Sequence, residues 1–512
     1  MTTRRQLLSG LAGLTGLGLV AGAAGCTSSG SGDGGSATAY TYRMRDQYRV
    51  WLNDLKWFPV LQEKTGITTT LVDGGPSSQY YQKVDLALAS GSIEDALIAN
   101  GAQADIYGSQ GAFADLAPLI AEHAPNIKAY IDANPSYQKL ITSNGKVFGL
   151  AMETVKISNV TFYRSDMFDK AGITDLPTEV TALREALATL KQAYQKTADF
   201  YPFTGRETFL RFPYAFGAAF GIVDGKVNGI ADDVVGALTS DGYRAMVEWY
   251  RSLYADGLID PEFVKGASTE ESWQTKMLTG KGAVSDDFFT RPSWFTNNGG
   301  PDNDPKFDLK VLQPFTLVDG TKVKVPAGAR WDVSRELCLN AKTAKDKAPA
   351  ILKQLDYLYG AEGQTLMHYG VEGESYQLKN GKPEYTVKFE DEGNKGDGVP
   401  VWNFLQDRLT FVAPVDNDAY QQWMDPQTRE FSVDYFANHL EQRPVLKYSV
   451  DDQKKRSDLM ATLQAYVLAQ VTAFVSGDRA MADWDAFLGE AEAKGFSQVK
   501  DLDQAAYEAA NG

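Results

Sequence analysis

The residues best equipped for chemistry are aromatics set beside carboxylates and arginines in short, loop-like runs. These are Asp286-Asp287-Phe288-Phe289, Arg291-Pro292-Ser293-Trp294, Arg330-Trp331-Asp332, Trp402-Asn403, and Tyr420 with Gln422-Trp423. A sugar ring presents an apolar face of C–H groups and a rim of hydroxyls. Aromatic rings stack on that face, and the Trp N–H and Tyr O–H groups bond the rim. Asp, Glu, Asn and Arg hold hydroxyls in a fixed orientation. These residue types together therefore suit a carbohydrate-binding surface. The candidate contacts are Asp287, Phe288, Trp294, Trp331 and Trp402, joined by Glu153 and by Glu372 and Tyr376 of the run Gly370-Val371-Glu372-Gly373-Glu374-Ser375-Tyr376. For a single tryptophan, core packing is the commoner role, and Trp249 and Trp484, on helix-like stretches, read that way.

Motifs for bond-making chemistry do not assemble. The three histidines, His123, His368 and His439, have neither metal-site nor triad spacing, and no His-Glu-x-x-His or Gly-x-Ser-x-Gly run is present. Gly280-Lys281-Gly282 lacks the flanking glycines and Ser/Thr of a phosphate loop. With 66 acidic residues, a glycosidase pair cannot be picked out by spacing. The reading is a binding protein rather than an enzyme, with no cofactor and no metal. A formal charge of −16 repels nucleic acid and anionic headgroups, and both are set aside as partners.

The elements that position these residues read as α/β. At 512 residues, with 43% hydrophobic and 12% aromatic content, two domains or lobes are expected. Residues 48–65 suit a helix ending at Gly66, 67–72 a strand, and 80–90 a second helix. Asp105-Ile106-Tyr107 reads as the end of a buried strand, Ala112–Glu122 as a short helix, and Lys146–Leu150 as a strand leaving the Asn144-Gly145 turn. Val160–Tyr163 is a further strand. Val180, Leu183, Leu187, Leu190 and Tyr194 mark one face of a helix over 178–197. Helices are also expected over 241–254, 271–278 and 348–359, with strand-like runs on either side of Asp319-Gly320. Leu459, Leu463, Val467, Val471 and Phe474 form a long apolar stripe closed by Gly477. Cys338 reads as a buried strand thiol.

The N-terminus carries Arg4-Arg5, an apolar stretch from Leu7 to Val20, and small residues before Cys26, which is the layout of a signal peptide over residues 1–25. Ala23-Ala24-Gly25-Cys26 resembles a lipobox, although a large aliphatic residue usually stands where Ala23 does. This resemblance implies lipidation of Cys26. Arg4-Arg5-Gln6-Leu7-Leu8 also resembles a twin-arginine export signal, and an ordinary Sec signal fits equally. Residues 26–40 form a Ser/Gly tether. The expected location is the extracytoplasmic face of the cell membrane, held by lipid only.

Several runs carry a family resemblance: Gly111, Asp115-Leu116, Pro118-Leu119-Ile120, Asn144-Gly145-Lys146, Gly149-Leu150 and Tyr163-Arg164-Ser165-Asp166-Met167-Phe168. Further matches are the helix–Gly280-Lys281-Gly282–strand step, the Glu372 run and the C-terminal Trp484-Asp485-Ala486-Phe487. Together, over about residues 40–510, these resemble the extracellular solute-binding proteins of carbohydrate ABC importers, in the branch that takes up oligosaccharides. The resemblance implies a monomeric two-lobed periplasmic-binding-protein-like α/β fold with hinge crossovers near 152–158, 315–328 and 365–376. Lobe 1 would comprise 41–153 plus 328–365, and lobe 2 would comprise 158–315 plus 376–512. An oligosaccharide or sugar would bind in the interlobe cleft and pass to membrane permease subunits. Alternatives are a non-sugar solute, such as a peptide, on the same scaffold, or a surface polysaccharide hydrolase. Alginate-binding members of the family carry an Asp/Asn-rich calcium loop after the helix matching 178–197. Here Gln195–Pro202 offers one acid, Asp199, too few ligands for calcium.

Overall fold

The computed structural model describes residues 38–45, 52–53, 55–76, 79–154, 159–210, 216–222, 237–317, 320–327, 330–386, 411–422, 424, 426–442 and 445–511. The signal peptide, Cys26, most of the tether and Trp402 lie outside them.

The first core is built on a five-stranded sheet. Its strands are β1 (Ala39–Met44), β2 (Thr68–Asp73), β3 (Ala96–Ala99), β6 (Leu150–Glu153) and β11 (Trp331–Leu339), in the order β2-β1-β3-β11-β6. The strands β1, β2 and β3 run parallel, and β11 pairs antiparallel to both β3 and β6. Between β3 and β6, a short hairpin of β4 (Thr142–Ser143) and β5 (Lys146–Val147) turns at Asn144-Gly145, both in the left-handed region. β3 is buried along its whole length, as a central strand must be. Helices Trp57–Thr65, Tyr80–Ser90 and Ala344–Tyr359 bury apolar faces in this core, and Cys338 is fully buried within β11. Gly66, in the left-handed region, caps the first of these helices.

Asp105-Ile106-Tyr107 is helical rather than the end of a strand. The strand is the preceding run Ala96–Ala99. Asn100 then starts the helix Gly101–Ser109 with a reciprocal capping box to Gln103. The apolar residues of the strand lie a few positions upstream of where the β-prone Ile-Tyr pair suggested.

The second core gathers around β7 (Asn159–Arg164), flanked antiparallel by β8 (Val284–Phe288) and β9 (Leu309–Val311). Helix Val180–Ala193 buries Val180, Leu183, Leu187 and Leu190 here, and helix Asp241–Ala255 buries Trp249. Helix Val450–Ser476 is long and apolar enough to cross a membrane by length and composition, yet it seats Leu463, Val467, Val471 and Phe474 in this core. Trp484 packs on Phe474 and Phe487 at 5.1 Å each, fixing the last helices. β10 (Val325–Ala327) pairs parallel to β14 (Leu440–Gln442), and β12 (Tyr376–Lys379) forms a hairpin with β13 (Lys382–Tyr385).

Phe411, Val412 and Ala413 still belong to the first core, where the Phe411 ring meets Tyr42, Trp57 and Phe58 at 5.7–6.1 Å. Tyr420 belongs to a cluster with Phe162 and Phe289 on the second sheet. Among the described residues the chain therefore passes between the cores at 414–419, while the passage expected near 365–376 leads towards residues 387–410, which lie outside them. The expected position is occupied by the end of helix Ala361–Tyr369 and the turn into the β12–β13 hairpin.

Candidate functional site

The first core places a cluster at the end of β6. Glu153 is the last residue of that strand, and its register partner across the sheet is Trp331, the first residue of β11. The Glu153 carboxylate accepts from Arg330 Nε at 2.6 Å, from the Tyr130 hydroxyl at 3.0 Å and from the Val415 backbone N–H at 3.3 Å. The Trp331 indole N–H donates to the Tyr130 oxygen at 2.9 Å. Arg330 stacks over the Trp331 ring at 4.7 Å and donates to Asn134 at 3.0 Å. Tyr137 stands 5.3 Å from both Trp331 and Tyr130, and Tyr359 stands 5.3 Å from Tyr130. Burial, reinforced by the neighbouring Glu153 charge, pushes the Tyr130 phenol well above its ordinary range, so it remains an O–H donor.

The second core places a different cluster at the end of β8. Asp287 is fully buried and takes two bonds from Arg206, at 2.5 and 3.0 Å. Arg206 also donates to Glu270 at 2.9 Å, and Arg291 reaches Glu270 at 2.8 Å and Asp287 at 3.5 Å. Both guanidinium groups lie over aromatic faces: Arg206 over Trp273 and Phe288, and Arg291 over Trp273 and Trp294, at 5.6–5.8 Å. Trp294 is half-buried and edge-on to Phe295 at 5.2 Å. One residue before Asp287, Asp286 accepts from the Thr161 hydroxyl at 3.0 Å, while its Oδ1 is buried without a hydrogen-bond partner among the described residues. Burial pushes its carboxyl well above the usual range, against the Thr161 bond and with help from Asp287.

The two clusters share a border. Glu153 and Asn159 flank the crossover 154–158, and Asn159 is in register with Phe288. Six residue steps reach at most about 22 Å. The end of β6 and the start of β7 therefore lie within that reach of each other, with Trp331 beside the one and Phe288 beside the other.

Glu372 and Tyr376 form a third group. The Gly373 N–H bonds the Tyr376 carbonyl at 2.8 Å, and Gly370 and Gly373 both have positive φ, so the glycines of this run serve a turn. Tyr376 packs on Tyr369 at 5.9 Å in a small cluster with Ala419 and Tyr385, while Glu372 is exposed. After helix Val180–Ala193, the segment carrying Asp199 is tied by Lys191, which donates to the Phe200 carbonyl at 2.5 Å, and by Lys281, 3.6 Å from Asp199.

The structure thus brings Glu153 together with Trp331, and Asp287 with Phe288 and Trp294. It adds Tyr130, Arg206, Glu270 and Trp273, which the sequence reading did not single out, and Asp286, which it named beside Asp287 but did not place among the candidate contacts. The Asp286-Asp287 doublet before two phenylalanines offered a signal for Asp286. Nothing local marked Tyr130, a lone tyrosine on the helix Pro125–Ala133.

Two α/β cores joined by short crossovers, each ending in an aromatic and polar cluster beside the same crossover, define a two-lobed solute-binding fold. The sequence profile described as bacterial extracellular solute-binding protein matches residues 57–372, and the chain belongs to that family. It is 24% identical over 487 residues to the fructooligosaccharide ABC transporter substrate-binding protein FusA of Streptococcus pneumoniae serotype 4, covering 88% of this chain and 86% of that protein. It is 23% identical over 340 residues to lipoprotein LipO of Bacillus subtilis, covering 62% of this chain and 64% of that protein. The fold matches FusA in complex with kestose with a TM-score of 0.70 at 18% identity, covering 92% of this chain and 98% of that one. It matches the alginate-binding protein AlgQ2 without calcium ion with a TM-score of 0.69 at 20% identity, again covering 92% and 98%.

Proposed function

We propose that this protein is the substrate-binding component of an ABC importer that captures an oligosaccharide or sugar between its lobes and delivers it to membrane permease subunits. The observation that carries this reading is the pair of aromatic and polar clusters bordering one crossover. Trp331 with Tyr130 lies on one side, and Phe288 with Trp294 on the other. Similarity to FusA, a fructooligosaccharide-binding protein by name, supports the ligand class. Phe288, Trp294 and Trp402 are assigned to stacking on the sugar, and Trp331, 8% exposed beneath Arg330, to backing the site at its open edge. Asp287 is closed off by its arginines and holds the site's shape, and Tyr376 packs in the neighbouring hairpin while the Glu372 side chain stands exposed beside it. The lobes divide at the three crossovers, so that residues 411–413 join lobe 1. The protein acts as a monomer, without catalysis.

Neutral sugars fit better than uronic acids. Arg330 carries Glu153 as its partner, and Arg206 and Arg291 share Asp287 and Glu270, so the charges of these arginines are already balanced. Export through residues 1–25 and lipidation at Cys26 would hold the domain at the extracytoplasmic face of the membrane. LipO, a lipoprotein by name, supports this. Intact mass of the membrane-extracted protein reads the lipid directly: a diacylglyceryl mass lost in Cys26→Ser is expected, and an unmodified Cys26 refutes the anchor.

The deciding experiment is a thermal-shift screen of the protein against neutral and uronic mono- and oligosaccharides and against peptides. A ligand at about 100 times its Kd adds roughly 2.7 kcal/mol of stability. A rise in Tm with neutral oligosaccharides, without their turnover, is expected. A rise with peptides alone overturns the ligand class, and release of new reducing ends overturns the binding-only role.

A further inference from the structure

Glu153 stands where three passages between the lobes come together. It closes β6 immediately before the first, 154–158. Arg330, which donates to its Oε1, ends the second, and the neighbouring Thr154 N–H bonds the Arg330 carbonyl at 2.8 Å. The Val415 N–H, which donates to its Oε2 at 3.3 Å, lies in the third. Tyr130 supplies the remaining bond to Oε2, anchoring the carboxylate to the first lobe. Glu153 is 8% exposed. A carboxylate offers about four acceptor positions, and three are taken by groups on different segments of the chain. Little of it is left for a ligand.

We propose that Glu153 is the pin of the hinge: a positioning residue that fixes the three crossings relative to one another and so sets the interlobe geometry for capture. This rests on the two-lobed capture reading above and revises the sequence expectation that Glu153 touches the ligand. Three independent connections can flex separately; tied at one carboxylate, they turn as one hinge. Arg330 is the arm of this node that reaches solvent, with 40% of its side chain exposed, and it lies across Trp331. A sugar that meets the exposed Arg330 guanidinium therefore acts on the pin through it.

The test measures interlobe distances with spin labels at Leu86→Cys and Leu176→Cys, two exposed leucines on opposite lobes, in a Cys26→Ser background where the remaining Cys338 is buried. In Glu153→Gln the amide presents an N–H₂ group to the Arg330 donor or to the Tyr130 and Val415 donors, breaking part of the node. The ligand-free distance distribution should widen roughly twofold, and the Kd of any sugar found by thermal shift should rise roughly tenfold through lost preorganisation. The rank order of sugars should be unchanged. Arg330→Met should reproduce the widening and decides the matter if Glu153→Gln does not fold. A ligand-free distribution that superimposes on the parent protein in both variants overturns the proposal. So does a changed sugar rank order in Glu153→Gln with unchanged distances, which would make Glu153 a direct contact. The ligand-free readout needs no sugar, so failure of the carbohydrate reading would leave this test intact.

Discussion

The two lobes solve the same problem with different materials. At the end of β6, uncharged donors do most of the work: the Tyr130 hydroxyl and the Val415 backbone N–H converge on one carboxylate, Trp331 donates in turn to Tyr130, and one arginine balances the charge. At the end of β8, charge dominates, with two arginines and two acids locked together over Trp273, Phe288 and Trp294. Hydrogen bonds among neutral groups contribute about 1 kcal/mol each, whereas a buried ion pair is poised between desolvation and attraction and fails badly when one member is lost. The first lobe should therefore tolerate single changes, and the second should not.

Arg206→Met is the sharpest way to break that comparison. It leaves Asp287, fully buried, with Arg291 at 3.5 Å as its remaining cation. We expect a loss of about 3–5 kcal/mol in denaturant unfolding. A loss under about 1 kcal/mol would mean that the second lobe's network is as dispensable as a surface pair.

The first lobe also buries an acid away from this cluster. Glu336 on β11 is buried against Gly149, whose missing side chain makes room for it: a Cβ there would stand 2.6 Å from its Oε2. Burial raises its carboxyl to about 8, opposed by Lys447 and reinforced by Asp105 and Asp332; the buried Cys338 thiol is a further neighbour. An acid whose folded value exceeds its ordinary 4.5 binds its proton more tightly when folded. Its contribution is therefore greatest below about pH 4.5 and is lost as pH rises towards about 8. Glu336→Gln should remove this slope and stabilise the protein at pH 9 by on the order of a few kcal/mol. Unfolding curves between pH 5 and 9 with the same slope in both proteins would place the Glu336 carboxylate in water.

Trp331→Phe probes the neutral cluster directly. The ring face is largely kept, while the bond to Tyr130 is lost. A stability loss of about 1 kcal/mol and a several-fold weaker sugar affinity by calorimetry are expected. An effect as large as that of Arg206→Met would erase the distinction between the lobes.

Much of the architecture was legible in the sequence because periodicity reports burial. The stripe from Val180 to Leu190 and that from Leu463 to Phe474 both face the core, and Cys338 lies inside a strand. The failures have physical causes. Ile106-Tyr107 looked like strand because β-prone residues say nothing of the Asn100 cap that starts a helix upstream. The passage at 414–419 was not legible because it is defined by Phe411 packing on Tyr42, Trp57 and Phe58, contacts more than 350 positions apart in the chain. At the candidate site, residue type led to Trp331 and Phe288, which lie in the two strand-end clusters. Pairing was invisible, so Asp287 and Glu153 read as groups for a ligand when their oxygens are held by the protein itself.

The run around Glu372 gives the finest test of where the site ends. Its glycines are needed for positive φ at Gly370 and Gly373, and its tyrosine packs with Tyr369 and Tyr385, which are joined in turn to Gln422. These contacts account for the whole pattern as a folded turn beside the third crossover, with the exposed Glu372 side chain having no part in it. Glu372→Gln should then change stability by no more than about 0.5 kcal/mol and leave sugar affinity within the error of calorimetry. Tyr376→Ala should destabilise the protein, through lost packing in the hairpin, more than it weakens binding. A tenfold loss of affinity in Glu372→Gln, with the melting temperature unchanged, would instead extend the site from the two strand-end clusters to this turn. The contrast between the lobes would then become one among three surfaces, with the hairpin supplying the uncompensated carboxylate that the other two lack.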